Sequence, residues 1–405
     1  MKHRLLILCD AFVPPMYGTR VRNLVQNLSK DTWEVHVACE QVPEYPYALP
    51  DAQMHCWQYY PEKRGIGRLL WYWRWLIDKM FLAKEKRFLG FLNREFERQT
   101  FDMVFASAYI FPIYSTRMFV QRRHIPLVMD MRDIFEQWGN TGYNRHSDSW
   151  FSNIYRTFAS CSYSRITRER NLTLKAAAAV TTVSSWHRKV LSSFNPDTHV
   201  IYNGYDNSLF VPHDSIQDEF KIVYTGSIYN LSLRNPDLLM QALQQLPELR
   251  SVYVDWYTDA DGRQQIHKMA EAYGIASIMR YHDYVTPDKI ASVLHSAGIV
   301  LVLSNLATDC GPHGILTTKF FEALGVEKPV LCVRSDEECL AQVINETNAG
   351  IAATNVEQVR QFVLDKYNEW QEHGFTRQQV NLAVKQQFSR QYQAEQFEHL
   401  FISLL

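Results

Sequence analysis

The chain contains no uncharged apolar stretch long enough to span a bilayer, and the run Leu5–Leu8 behind Met1-Lys-His-Arg is too short for a secretory leader. A cytoplasmic location, at most peripheral on the cytoplasmic face of a membrane, is expected. An excess of either charge is also missing: 42 Lys and Arg stand against 43 Asp and Glu, a formal net charge of -1. Without a broad basic surface, nucleic acid is not an expected partner. The 7 cysteines (Cys9, Cys39, Cys56, Cys161, Cys310, Cys332 and Cys339) are odd in number and include no C-x-x-C pair. That excludes a zinc ribbon and favours reduced thiols over a disulfide framework. The first strand-like run is followed by DAFVPPMYGTRVRNL, which carries only Gly18 where a dinucleotide fold needs G-x-G-x-x-G. A G-x-x-x-x-G-K-[ST] phosphate loop is absent too. The DMRD carboxylates at 130–133 lack the nearby partners of a metal site, so neither a metal nor a bound cofactor is expected.

What is present is an α/β rhythm, run through twice. Strand-like segments at 4–10, 34–40, 103–108, 127–131, 179–184 and 200–204 are separated by stretches long enough for helices, and the pattern restarts at 221–227, 251–257, 278–284, 298–304 and 329–333. Continuous apolar strands alternating with helices predict parallel sheets covered on both faces. At 405 residues the chain suits two domains of about 150 to 200 residues each. The turn-rich stretch NGYDNSLFVPHDSIQDEF marks the boundary. The expected division is 1–205, a linker at 206–220, 221–385, and a C-terminal helix at 386–405 that crosses back to the first domain. Two Rossmann-like, doubly wound domains facing a central cleft are the predicted α/β architecture, with ligands at the carboxyl ends of the strands.

Several segments, in order, carry a resemblance. DAFVPPMYGTRVRNLVQNLSK, MDMRDIFEQW, AAAAVTTVSSWHRKVL and VIYNGYDNSLF in the first half, then KIVYTGSIY and TTKFFEALGVEKPVL in the second, resemble the motifs of retaining, family-four glycosyltransferases of the GT-B fold. The resemblance runs over nearly the whole chain and implies a nucleoside-diphosphate sugar as donor and a saccharide or lipid-linked acceptor. It also implies a role in cell-surface polysaccharide assembly.

Within that reading, Lys319 and Glu322 lie three residues apart on one face of a helix expected to start near Leu316 or Thr317. A carboxylate accepts both ribose hydroxyls, and an ammonium with free backbone N–H groups at a helix start suits a diphosphate. Glu322 is therefore expected on the ribose, and Lys319 with Thr318 on the diphosphate. An ordinary solvated ion pair is the alternative. Gly226 and Ser227 offer close backbone approach, and Arg234 is the cation of that loop or else a surface residue at a helix start. Gly18 plays the equivalent part in the first half, or is a plain turn glycine.

The family often places a second glutamate eight residues before the first, and here that position is Gly314. His313, Asp309 or the backbone of the Gly311-Pro312-His313-Gly314 turn is then left to hold the sugar. On the acceptor side, Asp130 and Asp133 are the candidates to bind or deprotonate a hydroxyl, with Arg132 beside them; Asp133 is equally suited to cap a helix. His146 and His187 are taken as structural.

One segment, EKRGIGRLLWYWRWLIDKMFLAKEKRFLGF, has two apolar stripes. Leu69, Leu70, Trp73, Leu76, Ile77 and Met80 are expected to face the core, and Trp71, Trp75 and Leu82, among Arg74, Lys79 and Lys86, to touch either an anionic membrane or a second packed surface. Peripheral membrane contact through 66–90 follows from the first choice. Two other readings stay open: a nucleotide-sugar epimerase of the same fold, and an inactive binding or scaffold subunit.

Overall fold

The computed structural model describes residues 2–12, 19–42, 48–138, 150–228, 231, 234–247, 249–304, 312–334 and 338–405. The chain divides into two compact units, one of residues 1–136, 142–202 and 393–405, the other of 137–141 and 203–392.

The first unit is built on β1 (His3–Cys9), β2 (Trp33–Glu40), β3 (Gln53–Trp57), β4 (Met103–Ser107), β5 (Leu127–Met131), β6 (Ala179–Thr182) and β7 (Thr198–Val200). These form one parallel sheet in the order β3-β2-β1-β4-β5-β6-β7. Leu5 to Leu8 are all fully buried because the sheet is covered on both sides: Leu6 and Leu8 pack with Phe88, Phe96 and Phe119, Leu5 and Ile7 with Phe105, Phe397 and Phe401. Each such side chain contributes roughly 1.5–3 kcal/mol of burial. Phe397 and Phe401 belong to the helix Arg390–Ser403, whose residues from 393 onward cluster with the first unit. Trp33 Nε1 donates to Glu398 there at 3.1 Å.

The second unit carries β8 (Phe220–Thr225), β9 (Val252–Tyr257), β10 (Met279–His282), β11 (Ile299–Leu303), β12 (Val330–Val333) and β13 (Gly350–Ala353), parallel in the order β10-β9-β8-β11-β12-β13. Phe220, Ile222, Tyr224, Val254 and Trp256 form its core with Leu239 and Ile266. In both sheets the order reverses between two adjacent strands, β1 and β4 in one, β8 and β11 in the other. Doubly wound sheets bind ligands at the carboxyl ends of such strands. Two strands have no counterpart among the expected ones, β3 and β13, and β7 shares only Val200 with the expected 200–204. Strands β3 and β13 lie at sheet edges: β3 mixes polar and apolar residues, and β13 is four residues of which three are the small Gly and Ala, so neither shows the run of large apolar residues that double-sided burial imposes.

The tryptophan-rich segment corrects the expectation for its faces. It folds as two helices, Ile66–Phe81 and Ala83–Glu95, separated at Leu82 in the left-handed conformation with φ 53°. Asp78 accepts the Lys84 backbone N–H at 2.8 Å at the start of the second helix. The stripe expected to face the core is largely outside: Leu69 is 73% exposed, Trp73 61%, and Leu70 and Leu76 are exposed as well. Trp71 and Trp75 are half-buried instead. Trp71 packs at a tilt against Tyr60, with the Lys63 ammonium 3.9 Å from its ring centre, and Arg74 donates to the Tyr59 carbonyl. The rotation is set by these aromatic and cationic anchors on one side of the helix, which outweigh its longer aliphatic stripe. No helix among the described residues is long and apolar enough to cross a membrane.

Candidate functional site

In the second unit the elements converge at the carboxyl end of β8. The chain leaves that strand at Gly226, whose φ is +127°, and the Lys319 side chain lies over it. A Cβ at position 226 would collide with Cε and Nζ of Lys319, so glycine is required for this approach. Lys319 and Glu322 belong to the helix Thr318–Val326, with Thr317 before its first turn. Its inner face, Phe320, Phe321, Ala323 and Leu324, is buried and fixes the rotation. Lys319 and Glu322 are left half-buried at the rim.

Neither makes a hydrogen bond or a close ion pair with any described residue. Their surroundings nevertheless move both titrations. Burial brings the Lys319 ammonium down to about 8, with the nearby Arg234 charge adding to the shift and Glu322 opposing it. Burial likewise pushes the Glu322 carboxyl up to about 7, against the pull of Lys319 and Arg390. The ordinary surface ion pair does not describe them: they are largely desolvated groups that make no hydrogen bond among the described residues.

Arg234 Nη1 donates to the Ser227 carbonyl at 2.6 Å, which fixes its guanidinium beside the glycine turn. Ser227 Oγ stands 2.6 Å from the Tyr284 hydroxyl, which donates to Asp259 at 3.0 Å. Asp259 in turn caps the helix Ala260–Ala272 by accepting the Gly262 N–H at 2.7 Å. Nothing in the sequence singles out Tyr284 or Arg390 for this site. Only the TDADG capping pattern gave a signal for Asp259. Gly314 takes φ 67°, and His313 Nδ1 lies 3.3 Å from Glu338. Thr318 is half-buried in the first turn of the lysine helix. Gly18, Asp309, Gly311 and His146 lie outside the described residues.

In the first unit the two aspartates part company. Asp130, inside β5, has no exposure and accepts from Arg20 Nε at 3.0 Å, Arg20 Nη2 at 2.9 Å, Ser107 Oγ at 3.0 Å and Thr181 Oγ1 at 2.8 Å. Arg20 also donates to the carbonyls of Ile201 and Tyr202, which ties β5 to the chain after β7. A carboxylate so occupied has no lone pair left for an acceptor, and Asp130 is corrected from a catalytic to a scaffold residue. Asp133, two residues beyond the strand, is exposed, and Arg132 is half-buried. Behind them Glu136 holds Arg170 through two 2.7 Å bonds. His187 is buried, and burial pushes its imidazole down to about 4 although the charges of Asp133 and Glu136 pull the other way.

Comparison with known proteins follows the same lines. Residues 18–209 match the model of Glycosyltransferase Family 4. No curated protein sequence matches the chain. Among solved structures, HepE from Anabaena in complex with UDP superimposes with a TM-score of 0.68 at 13% identity, covering 100% of both chains. The chain has the GT-B fold, and its first half resembles family-4 glycosyltransferases. Sucrose-phosphate synthase from Thermosynechococcus elongatus follows with a TM-score of 0.63 at 12% identity over 100% of this chain and 99% of the other. The lipopolysaccharide outer core galactosyltransferase WaaB gives 0.57 at 11% identity over 99% and 100%. At such identities the likeness of this GT-B chain to the solved structures concerns the fold.

Proposed function

We propose that this protein is a glycosyltransferase that takes its sugar from a uridine-diphosphate donor and transfers it, with retention, to a saccharide or lipid-linked acceptor in cell-surface polysaccharide assembly. The observation that carries the reading is the pair Lys319 and Glu322: without a hydrogen bond or ion pair among the described residues, largely desolvated, on one helical face, beside the glycine turn after β8. Glu322 accepts the two ribose hydroxyls. The Lys319 ammonium, the Arg234 guanidinium and the first N–H groups of the Thr318–Val326 helix neutralise the diphosphate, whose charge grows as the glycosidic bond breaks. With protein cations in that role, the transfer proceeds without a metal ion. His313 and Gly314 face the sugar in place of the family's second glutamate, and Asp133 with Arg132 receives the acceptor hydroxyl. Uridine is the favoured base because HepE is seen with UDP and with UDP-glucose.

The test is a thermal-shift screen against UDP, GDP, ADP and TDP, since a ligand of the native state raises stability by mass action. UDP-sugars are then incubated with and without acceptor, and the product anomer is read by NMR. Stabilisation by UDP with sugar release and a retained anomer supports the proposal. Interconversion of free UDP-sugars without release identifies an epimerase, and binding without turnover an inactive subunit.

A further inference from the structure

The outward face of the Ile66–Phe81 helix is left exposed by the described residues of its unit. Ile66, Leu69, Leu70, Trp73, Leu76 and Phe81 are all exposed, and at 100° per residue they fall within one half of the helix circumference. Apolar side chains scattered singly over a surface need no explanation, but six on one helix face form a contiguous patch. The helix is not loosely attached, since Trp71, Trp75 and Arg74 hold its opposite side.

The surround of the patch is cationic. Lys63, Arg64 and Arg68 are exposed at its amino end. At its carboxyl end, next to Phe81, a groove of about 500 Å³ is lined by Lys86, Arg165 and Arg168. The carboxylate in that groove, Glu169, is engaged by Arg117. In a chain of net charge -1, this is a local concentration of one sign.

We infer that this face docks on a membrane surface containing anionic phospholipid, with the apolar stripe in the headgroup boundary and the basic groove on lipid phosphates. A second copy of the chain fits less well. An isologous contact would press most of these cations against one another, with Glu62 the exposed carboxylate among the described residues at the amino end of the patch. The docking face is the one opposite the Trp71 and Trp75 stripe expected from sequence. It goes beyond the proposed reaction and does not depend on it.

Vesicle sedimentation at low and high salt tests the inference, using neutral phosphatidylcholine vesicles and vesicles with added phosphatidylglycerol. The parent chain is expected to sediment with the anionic vesicles and to be released by salt. Leu69→Asp with Trp73→Asp should abolish binding with the melting temperature unchanged. Arg165→Ala with Arg168→Ala should weaken binding to the anionic vesicles about fivefold per cation removed. Trp71→Ser should lower the melting temperature, because that half-buried ring packs against Tyr60 and under the Lys63 ammonium. No sedimentation of the folded parent with anionic vesicles overturns the inference, as does undiminished binding by the double aspartate variant. A concentration-dependent dimer of the parent, lost in that variant and unaffected by lipid, assigns the face to a second copy and overturns it too.

Discussion

Asp130 and Glu322 are both carboxylates withdrawn from water beside a cation, and they differ in how much of their hydrogen-bonding capacity is used. Asp130 accepts from a guanidinium and two hydroxyls, has no exposure, and ties strands of the first sheet together. Glu322 has two charged neighbours at a distance, no hydrogen bond from a described residue, and a carboxyl raised to about 7. Burial by itself says little about function; the contrast lies in whether the cost of desolvation is offset inside the fold or left for a ligand to offset.

The contrast is broken most directly at Asp130. Asp130→Ala leaves the Arg20 guanidinium buried without its carboxylate and is expected to cost about 3–5 kcal/mol of stability, read from the urea midpoint. A midpoint close to the parent's contradicts the scaffold assignment. At Glu322 the signs reverse. Glu322→Ala should weaken UDP binding by about 2–3 kcal/mol in calorimetry while leaving the melting temperature equal to or above the parent's. Unchanged affinity in the folded variant removes the ribose assignment.

The pH dependence sharpens the same point. The folded Glu322 carboxyl titrates near 7 and the unfolded one near 4.5, so its contribution to stability is present below about 4.5 and is lost as pH rises through 7. Lys319, lowered from 10.5 to about 8, contributes stability above 10.5 that is lost as pH falls through 8. Ligand binding runs opposite to the Glu322 stability term, because only the carboxylate accepts two hydroxyls. Uridine, which has no phosphate to titrate, should bind more weakly as pH drops below about 7, and Glu322→Gln should flatten that profile. A parent profile that is flat from pH 6 to about pH 8 counts against the carboxylate's role.

Lys319→Ala should cost about 1.5–3 kcal/mol in UDP affinity and little in uridine affinity. Equal losses for the two ligands contradict a diphosphate contact. The smallest effect is expected at Tyr284, where the Phe variant removes a hydroxyl bridging Ser227 and Asp259 at an exposed position. A loss of about 0.5–1.5 kcal/mol in UDP binding marks it as a support of the glycine turn, and a loss as large as that of Lys319→Ala makes it a ligand contact.

These differences also explain what was legible beforehand. Strands such as Leu5–Leu8 announce themselves because burial on both faces demands an unbroken apolar run. Edge strands β3 and β13 are under no such demand. Lys319 and Glu322 could be paired from spacing alone, since a helix fixes which residues share a face. Spacing is silent on tertiary partners, so Asp130 and Asp133 are alike in sequence and differ only through the Arg20 guanidinium against Asp130. The Ile66–Phe81 helix shows the same limit: periodicity reveals that a stripe exists, while its direction depends on Tyr59 and Tyr60, which lie before the helix.

The helix Arg390–Ser403 has a consequence for how the protein is made. Its Phe397 ring lies 5.0 Å from the Arg20 guanidinium carbon, and Ala394, Phe397 and Phe401 close one face of the first sheet. A ribosome delivers β1 early and this lid very late, with the whole second unit emerging in between. The second unit has the strands of its own sheet within one stretch of chain and is free to condense during synthesis. The first unit, begun first, stays open along that face until the lid arrives, so the earlier-born half is the later one to seal and the one that an interrupted translation leaves with its apolar side bare.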